Sequence, residues 1–212
     1  MGAYPGDPGP PGADCSGVVY SRCNLSNSSN DILVGDAVIA LASGSFATTV
    51  DVPFSVVSLL CDGVSFELAA STPSVYMTVW LALQQACGAS ANDTILVHAG
   101  SGGIGTAAIN VSNVLGANVW STAGNVAKRG YVRALGVHSV CSTRSTAFSE
   151  PFHSGVDLIL KSETASGMIA SSLSCIRTGG RFVELGKRDI WSTKSMKMER
   201  PDLTYNLSLI HI

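Results

Sequence analysis

The chain has 212 residues, 46% hydrophobic and 13% charged, with a net charge of −2. That composition supports a buried core, argues against general nucleic-acid binding and contains no apolar run of membrane-spanning length. The opening MGAYPGDPGP has neither the basic nor the apolar region of a signal peptide, and Cys15, Cys23, Cys61, Cys87, Cys141 and Cys175 form no C-x-x-C pair, so reduced thiols in a cytoplasmic protein are expected.

In chain order, PGDPGPPG (Pro5 to Gly12) is a rigid entry loop, too short for a collagen repeat. Short strands are predicted at Val18–Tyr20 and Ala37–Leu41, around a polar turn holding the sequon-like Asn24-Leu-Ser26 and Asn27-Ser-Ser29. Phe46–Phe54 gives a further β-like stretch, so the first 74 residues read as a small, incomplete β-rich domain. A helical segment starts at Ser65 and is broken by Pro73. Val75–Cys87 reads as a longer helix, with Val75, Val79 and Leu83 at helical spacing and Gly88 as its stop.

From residue 75 onward the pattern alternates. Strands are predicted at Ile95–Val97, Asn118–Thr122, Val137–Cys141, Val156–Leu160 and Arg181–Leu185. Helices are predicted from Thr106 to Gly116, over Val126–Leu135 and over Ala165–Leu173. Ile95–Val97 lacks polar alternation, as a parallel strand covered on both faces does. Repeated β-α-β with short links implies a doubly wound, Rossmann-type parallel sheet, with ligands beyond the carboxyl ends of its strands.

His98–Gly105 reads HAGSGGIG, directly after the apolar run Thr94–Val97. Gly100, Gly102 and Gly105 satisfy G-x-G-x-x-G between a strand and a helix, the unit that holds a dinucleotide pyrophosphate; Ser101, Gly103 and Ile104 complete the turn. An NAD site places an acid about 20 residues further on. Here that position falls near Thr122, and Thr106 to Ser149 contains no Asp or Glu. Lys128, Arg129, Arg133 and Arg144 are the charges present, which favours NADPH. Tyr131 reads as a plain helix residue packing on the sheet, and His98 as a structural hydrogen-bonding group. The remaining histidines have no metal spacing and no Cys/His cluster exists, so no metal is expected. Glu184, Lys187, Arg188 and Asp189 read as a charged surface turn, with a cleft lining as the alternative.

Taken together, AYPGDPGPPGADCSGVV, VGDAVIALASGSFATTV, TPSVYMTVWLAL, ILVHAGSGGIGTAAI, AKRGYVRALGV, STRSTAFSE, GVDLIL and GGRFVELGKRDI resemble the enoyl reductase domain of polyketide synthases and animal-type fatty acid synthases, within the zinc-free medium-chain dehydrogenase/reductase superfamily. The resemblance implies part of a GroES-like substrate domain over 1–74 and an NADPH-binding Rossmann domain over 75–212, a fragment of a longer polypeptide. It implies reduction of a trans-2-enoyl thioester on acyl carrier protein by NADPH, other synthase domains in the same chain as partners, and a homodimer as an assembly to test. Tyr4 matches the family's Y-P-G tyrosine, a proton donor. Lys128 matches a lysine that serves the cofactor phosphate, the proton or both. Thr78 matches a position beside the nicotinamide.

Three departures bear on activity. Ala147 stands where the family carries an aspartate. Lys161 and Glu163, in ILKSE, place charge where an amide and an apolar residue are expected. A stand-alone zinc-free quinone or enone reductase and a truncated, non-catalytic nucleotide-binding relic are the competing readings.

Overall fold

The computed structural model describes residues 9–23, 32–137, 139–152, 155–163 and 167–207. The chain divides into two compact units, Met1–Met77 and Thr78–Ile212.

In the first unit, β1 (Asp14–Val18), β2 (Ala37–Leu41) and β3 (Val57–Leu59) form an antiparallel sheet in the order β1-β2-β3. The predicted strand over Phe46–Phe54 is not there: the chain turns, and pairing resumes only at Val57. Thr and Val in that stretch favour a pleated, half-buried surface, but Phe46 is 84% exposed, its N–H goes to the Pro11 carbonyl at 3.3 Å, and the Arg22 guanidinium lies over the Phe54 ring. The first strand also starts earlier than expected and shares only Val18 with the predicted one. Helix α1 (Phe66–Ala70) is capped by Ser65, whose Oγ accepts the Leu68 N–H at 3.3 Å. Pro73 opens α2 (Pro73–Trp80) instead of ending a helix, because a first-turn residue has no N–H obligation. The Asp14 carboxylate caps the same turn, accepting from the Ser74 N–H at 2.9 Å and its hydroxyl at 2.6 Å. The helix then widens into a π-helical turn over Leu81–Gln85. A boundary at residues 74/75 falls in the first turn of α2.

The second unit is a six-stranded parallel sheet. Along the chain come β4 (Thr94–Val97), α3 (Gly103–Val114), β5 (Asn118–Ala123), α4 (Val126–Ala134), β6 (Ser139–Ser142), β7 (Val156–Lys161), α5 (Met168–Leu173), β8 (Ile176–Glu184), α6 (Thr193–Glu199) and β9 (Thr204–Leu207). Their order across the sheet is β6-β5-β4-β7-β8-β9. The chain winds outward from β4 to β6, returns to β7 beside β4, and winds the other way. The reversal between β4 and β7 is the topological switch point, where open α/β sheets bind ligands.

Leu96, Ile159 and Phe182, on the three central strands, pack with Phe148, Phe152, Met168, Ile169, Leu173 and Met196 in one buried cluster. Trp120 stacks on Phe152 with ring centroids 4.9 Å apart. At the amino ends of the strands, Arg181 pairs with Asp93 and donates to the Cys87 carbonyl at 2.9 Å. Asp157 accepts the Thr94 N–H at 2.8 Å. Strand β9 and helix α6 were not legible beforehand. TYNL is short and half polar, and α6 buries only Met196.

Candidate functional site: the carboxyl edge of the parallel sheet

The glycine turn is folded tightly against its own helix. Ala99 stands in the left-handed region (φ 52°), and the Gly102 N–H returns to its carbonyl at 2.9 Å. A Cβ on Gly105 would fall on that carbonyl oxygen and on the Gly100 Cα; one on Gly100 would fall on the Ser121 side chain. These two glycines are demanded by close packing. Gly102 differs: a Cβ there meets only the Ala99 oxygen, at 3.4 Å. Gly102 and Gly103 are exposed, Ser101 and Ile104 half-buried. Gly102 caps α3 without a side-chain hydrogen bond, and no acid stands in the first turn. The positive end of α3, with the N–H groups a helix leaves unbonded there, therefore faces solvent.

Two residues below the turn are spent on holding it. His98 is fully buried, with Nδ1 3.1 Å from the Thr122 hydroxyl and Nε2 2.9 Å from the Ser172 hydroxyl. Burial, with the Lys161 charge adding to it, lowers its pKa to about 3, so the imidazole is neutral. Thr122 is also buried, and its hydroxyl accepts the Ala99 N–H at 3.3 Å. It shapes the turn from beneath and presents no exposed contact.

The cations collect over the β5 and β6 ends. Asn125 caps α4 by accepting the Lys128 N–H at 2.8 Å, leaving the Lys128 side chain exposed. Arg129 and Arg133 lie close enough to Cys141 for their charges to oppose the upward push of burial on its thiol. The Arg144 Nε stands 3.8 Å from where a Cβ on Gly124 would be. Tyr131, expected to pack on the sheet, is exposed, and its hydroxyl lies 3.5 Å from Thr106 Oγ1, in the first turn of α3. The available signal was its i+3 spacing from Lys128, which puts both on one helix face. Thr78 is buried on α2 and Ala147 is exposed in the 3-10 turn Thr146–Ser149. Tyr4 lies outside the described residues.

Glu184 corrects the reading of its segment as a surface turn. It is 2% exposed and pairs with Lys161, itself 0% exposed, at 3.2 Å. Burial raises its carboxyl to about 7, against the opposing pull of Lys161. Arg188 and Asp189 are exposed, and Lys187 is intermediate.

Among the described residues, no three His, Cys, Asp or Glu side chains stand together as a metal site, and no helix is long and apolar enough to cross a membrane.

A parallel sheet reversing at β4/β7, with a glycine turn at the reversal, is the architecture of Rossmann-type, dinucleotide-binding folds. Residues 103–210 match the zinc-binding dehydrogenase family. The chain belongs to that family, as an enoyl reductase-like member of the medium-chain dehydrogenase/reductase superfamily. A highly reducing polyketide synthase of Penicillium oxalicum is 35% identical over 195 residues, 88% of this chain and 8% of the synthase. The CurK enoyl reductase crystal structure superposes with a TM-score of 0.85 at 29% identity, covering 92% of this chain and 59% of that one. The nucleotide-binding subdomain of the enoylreductase domain of PpsC from Mycobacterium tuberculosis superposes with a TM-score of 0.57 at 29% identity, covering 64% and 79%. The chain spans a tenth or less of the length of the curated relatives it matches.

Proposed function

We propose that this chain is an NADPH-dependent enoyl reductase of the polyketide-synthase type, reducing a trans-2-enoyl thioester carried on acyl carrier protein within a larger synthase. The observation that carries the reading is the glycine turn: Gly100 and Gly105 are packed shut, while Gly102 and Gly103 leave the positive end of α3 open. That cradle fits a pyrophosphate. Lys128, Arg129 and Arg144 around the β5 and β6 ends fit the additional phosphate that distinguishes NADPH from NADH, and the relatives named above are synthases and enoyl reductases.

In this assignment Ser101 to Gly105 hold the pyrophosphate through backbone N–H groups. Lys128, Arg129 and Arg144 hold the additional phosphate, the role that the exposed first-turn position of Lys128 favours. Bound NADPH would supply hydride to the substrate β-carbon. Tyr4 is then assigned the proton that goes to the α-carbon, and Thr78 the nicotinamide side. Ala147 carries only a methyl group and donates no proton.

The test is fluorescence titration with NADPH and NADH, then NADPH oxidation with crotonyl thioester and with a quinone. Lys128→Ala weakens NADPH binding about tenfold, as loss of one charge-assisted hydrogen bond does, and leaves NADH binding nearly unchanged. Equal losses for both nucleotides refute the phosphate role. Turnover of quinone alone supports a stand-alone reductase, and binding without turnover supports a nucleotide-binding relic.

A further inference from the structure

The switch point has a second feature, on the side of the sheet away from the cations. Three neighbouring strands end in buried titratable side chains: His98 after β4, Lys161 on β7 and Glu184 on β8. Lys161 and Glu184 sit directly opposite each other in the β7–β8 register. The Lys161 Nζ donates to the Glu163 carbonyl at 3.1 Å and to Glu184 Oε1 at 3.3 Å. The same Oε1 accepts the Gly186 N–H at 2.8 Å. Gly186 packs so closely that a Cβ would stand 2.7 Å from Glu184 Oε1 and 3.0 Å from the Glu163 carbonyl oxygen. The Ser162 hydroxyl donates to the His98 carbonyl at 3.2 Å, tying this cluster to the strand that carries the glycine turn.

A buried ion pair is a poor source of stability, since neutral side chains of similar volume do as well or better. This pair joins two loops, Ser162–Glu163 after β7 and Leu185–Gly186 after β8. A dinucleotide crosses the sheet at the switch point. With one half over the cationic β5–β6 side, its other half crosses β7 and β8, where these loops lie.

We propose that the Lys161–Glu184 pair is a positioning device, holding the loops after β7 and β8 as one platform for the half of the dinucleotide that lies over them. The proposal rests on reading the glycine turn as a dinucleotide site. Neither side chain touches the ligand; both act through the loops. The Glu184 carboxylate, accepting from Lys161 and Gly186 together, is the clasp, and protonation weakens it. The charged and titratable groups that act on Glu184 are Lys161 and Glu163, and the Glu184 charge adds to burial in raising Tyr205 on β9. Its carboxyl, at about 7, changes state within the range where binding is measured.

The experiment measures NADPH affinity from pH 6 to pH 8 for the wild-type chain and Glu184→Gln, a neutral side chain of the same shape. The 2′-phosphate of NADPH titrates in the same range, so the readout is the ratio of the two dissociation constants at each pH. Glu184→Gln binds about tenfold more weakly than wild type at pH 8, and the two converge at pH 6, where the wild-type carboxyl is largely protonated. The double variant Lys161→Met/Glu184→Gln has no buried charge and carries the comparison if the single variant does not fold. It melts within a few degrees of wild type and follows the same pH-dependent ratio. A ratio constant across pH overturns the positioning role while leaving the dinucleotide site intact. Absence of NADPH binding by wild type at every pH overturns the site, and this inference with it.

Discussion

Gly102 and Gly105 stand three residues apart in one turn, yet substitution should damage different properties. Alanine at Gly105 places a methyl group on the Ala99 carbonyl and the Gly100 Cα, both backbone. Neither retreats as a side chain does, so strand end and helix must separate. Overpacking of this kind costs about 1–3 kcal/mol, and the better helix propensity of alanine offsets up to about 1 kcal/mol. Because both clashes are with backbone, the cost lies at the upper end of that range, and the net loss of about 2 kcal/mol corresponds to a fall in Tm of about 4–8 °C for a chain of this size. Alanine at Gly102 meets only the Ala99 oxygen, at 3.4 Å, and otherwise points into open space. Its effect on Tm should be under about 2 °C, while NADPH affinity falls about tenfold or more, because the methyl group occupies the approach to the α3 N–H groups. Thermal melts monitored by circular dichroism, paired with fluorescence titration, separate the two effects. Equal melting losses for both variants, or undiminished affinity in Gly102→Ala, refute the division between a packed glycine and a ligand-facing one.

Two further outcomes follow from buried polar groups. The unfolded His98 imidazole takes its proton near 6.5 and the folded one only near 3. The unfolded state therefore binds more protons in between, so this contribution to stability is complete above pH 6.5 and is lost as pH falls toward 3. Between pH 7 and pH 4 that is about 3 kcal/mol. Carboxylates titrate in the same window, so urea unfolding of wild type is compared with His98→Gln; equal acid sensitivity in both rules out the histidine as the cause. Arg181→Met removes the partner of Asp93 and the donor to the Cys87 carbonyl. With Asp93 8% exposed, the loss should be about 2–3 kcal/mol, read as a fall in Tm of about 4–12 °C. An unchanged Tm shows that water replaces the guanidinium without cost.

The second unit was more legible than the first. Its strands alternate with amphipathic helices, and a run such as TILV, buried at all four positions, has few alternatives. In the first unit, strand position depends on which short segment finds a partner. Phe46–Phe54 has the residue types of a strand but pairs with no strand among the described residues, whereas Val57–Leu59 pairs with β2. Within the site, Gly100 and Gly105 were readable because only glycine survives such contacts. Thr122 was placed correctly at the end of β5, but its hydroxyl turns inward to His98 and Ala99. Lys161 and Glu184 looked like unrelated charges because they lie 23 residues apart, and their pairing exists only through the β7–β8 register. The Tyr131 contact was not legible for a similar reason, since its hydroxyl reaches a residue on another helix.

Ala99 is one of two non-glycine residues with positive φ among those described. A methyl-bearing residue in that conformation carries about 1–2 kcal/mol of local strain, which the surrounding contacts must offset. Glycine would remove the strain but would widen the choice of shapes open to the bend. Alanine narrows that choice in advance, so in the proposed site an arriving nucleotide would have little ordering left to impose on the backbone, and correspondingly more of its contact energy would be retained as affinity.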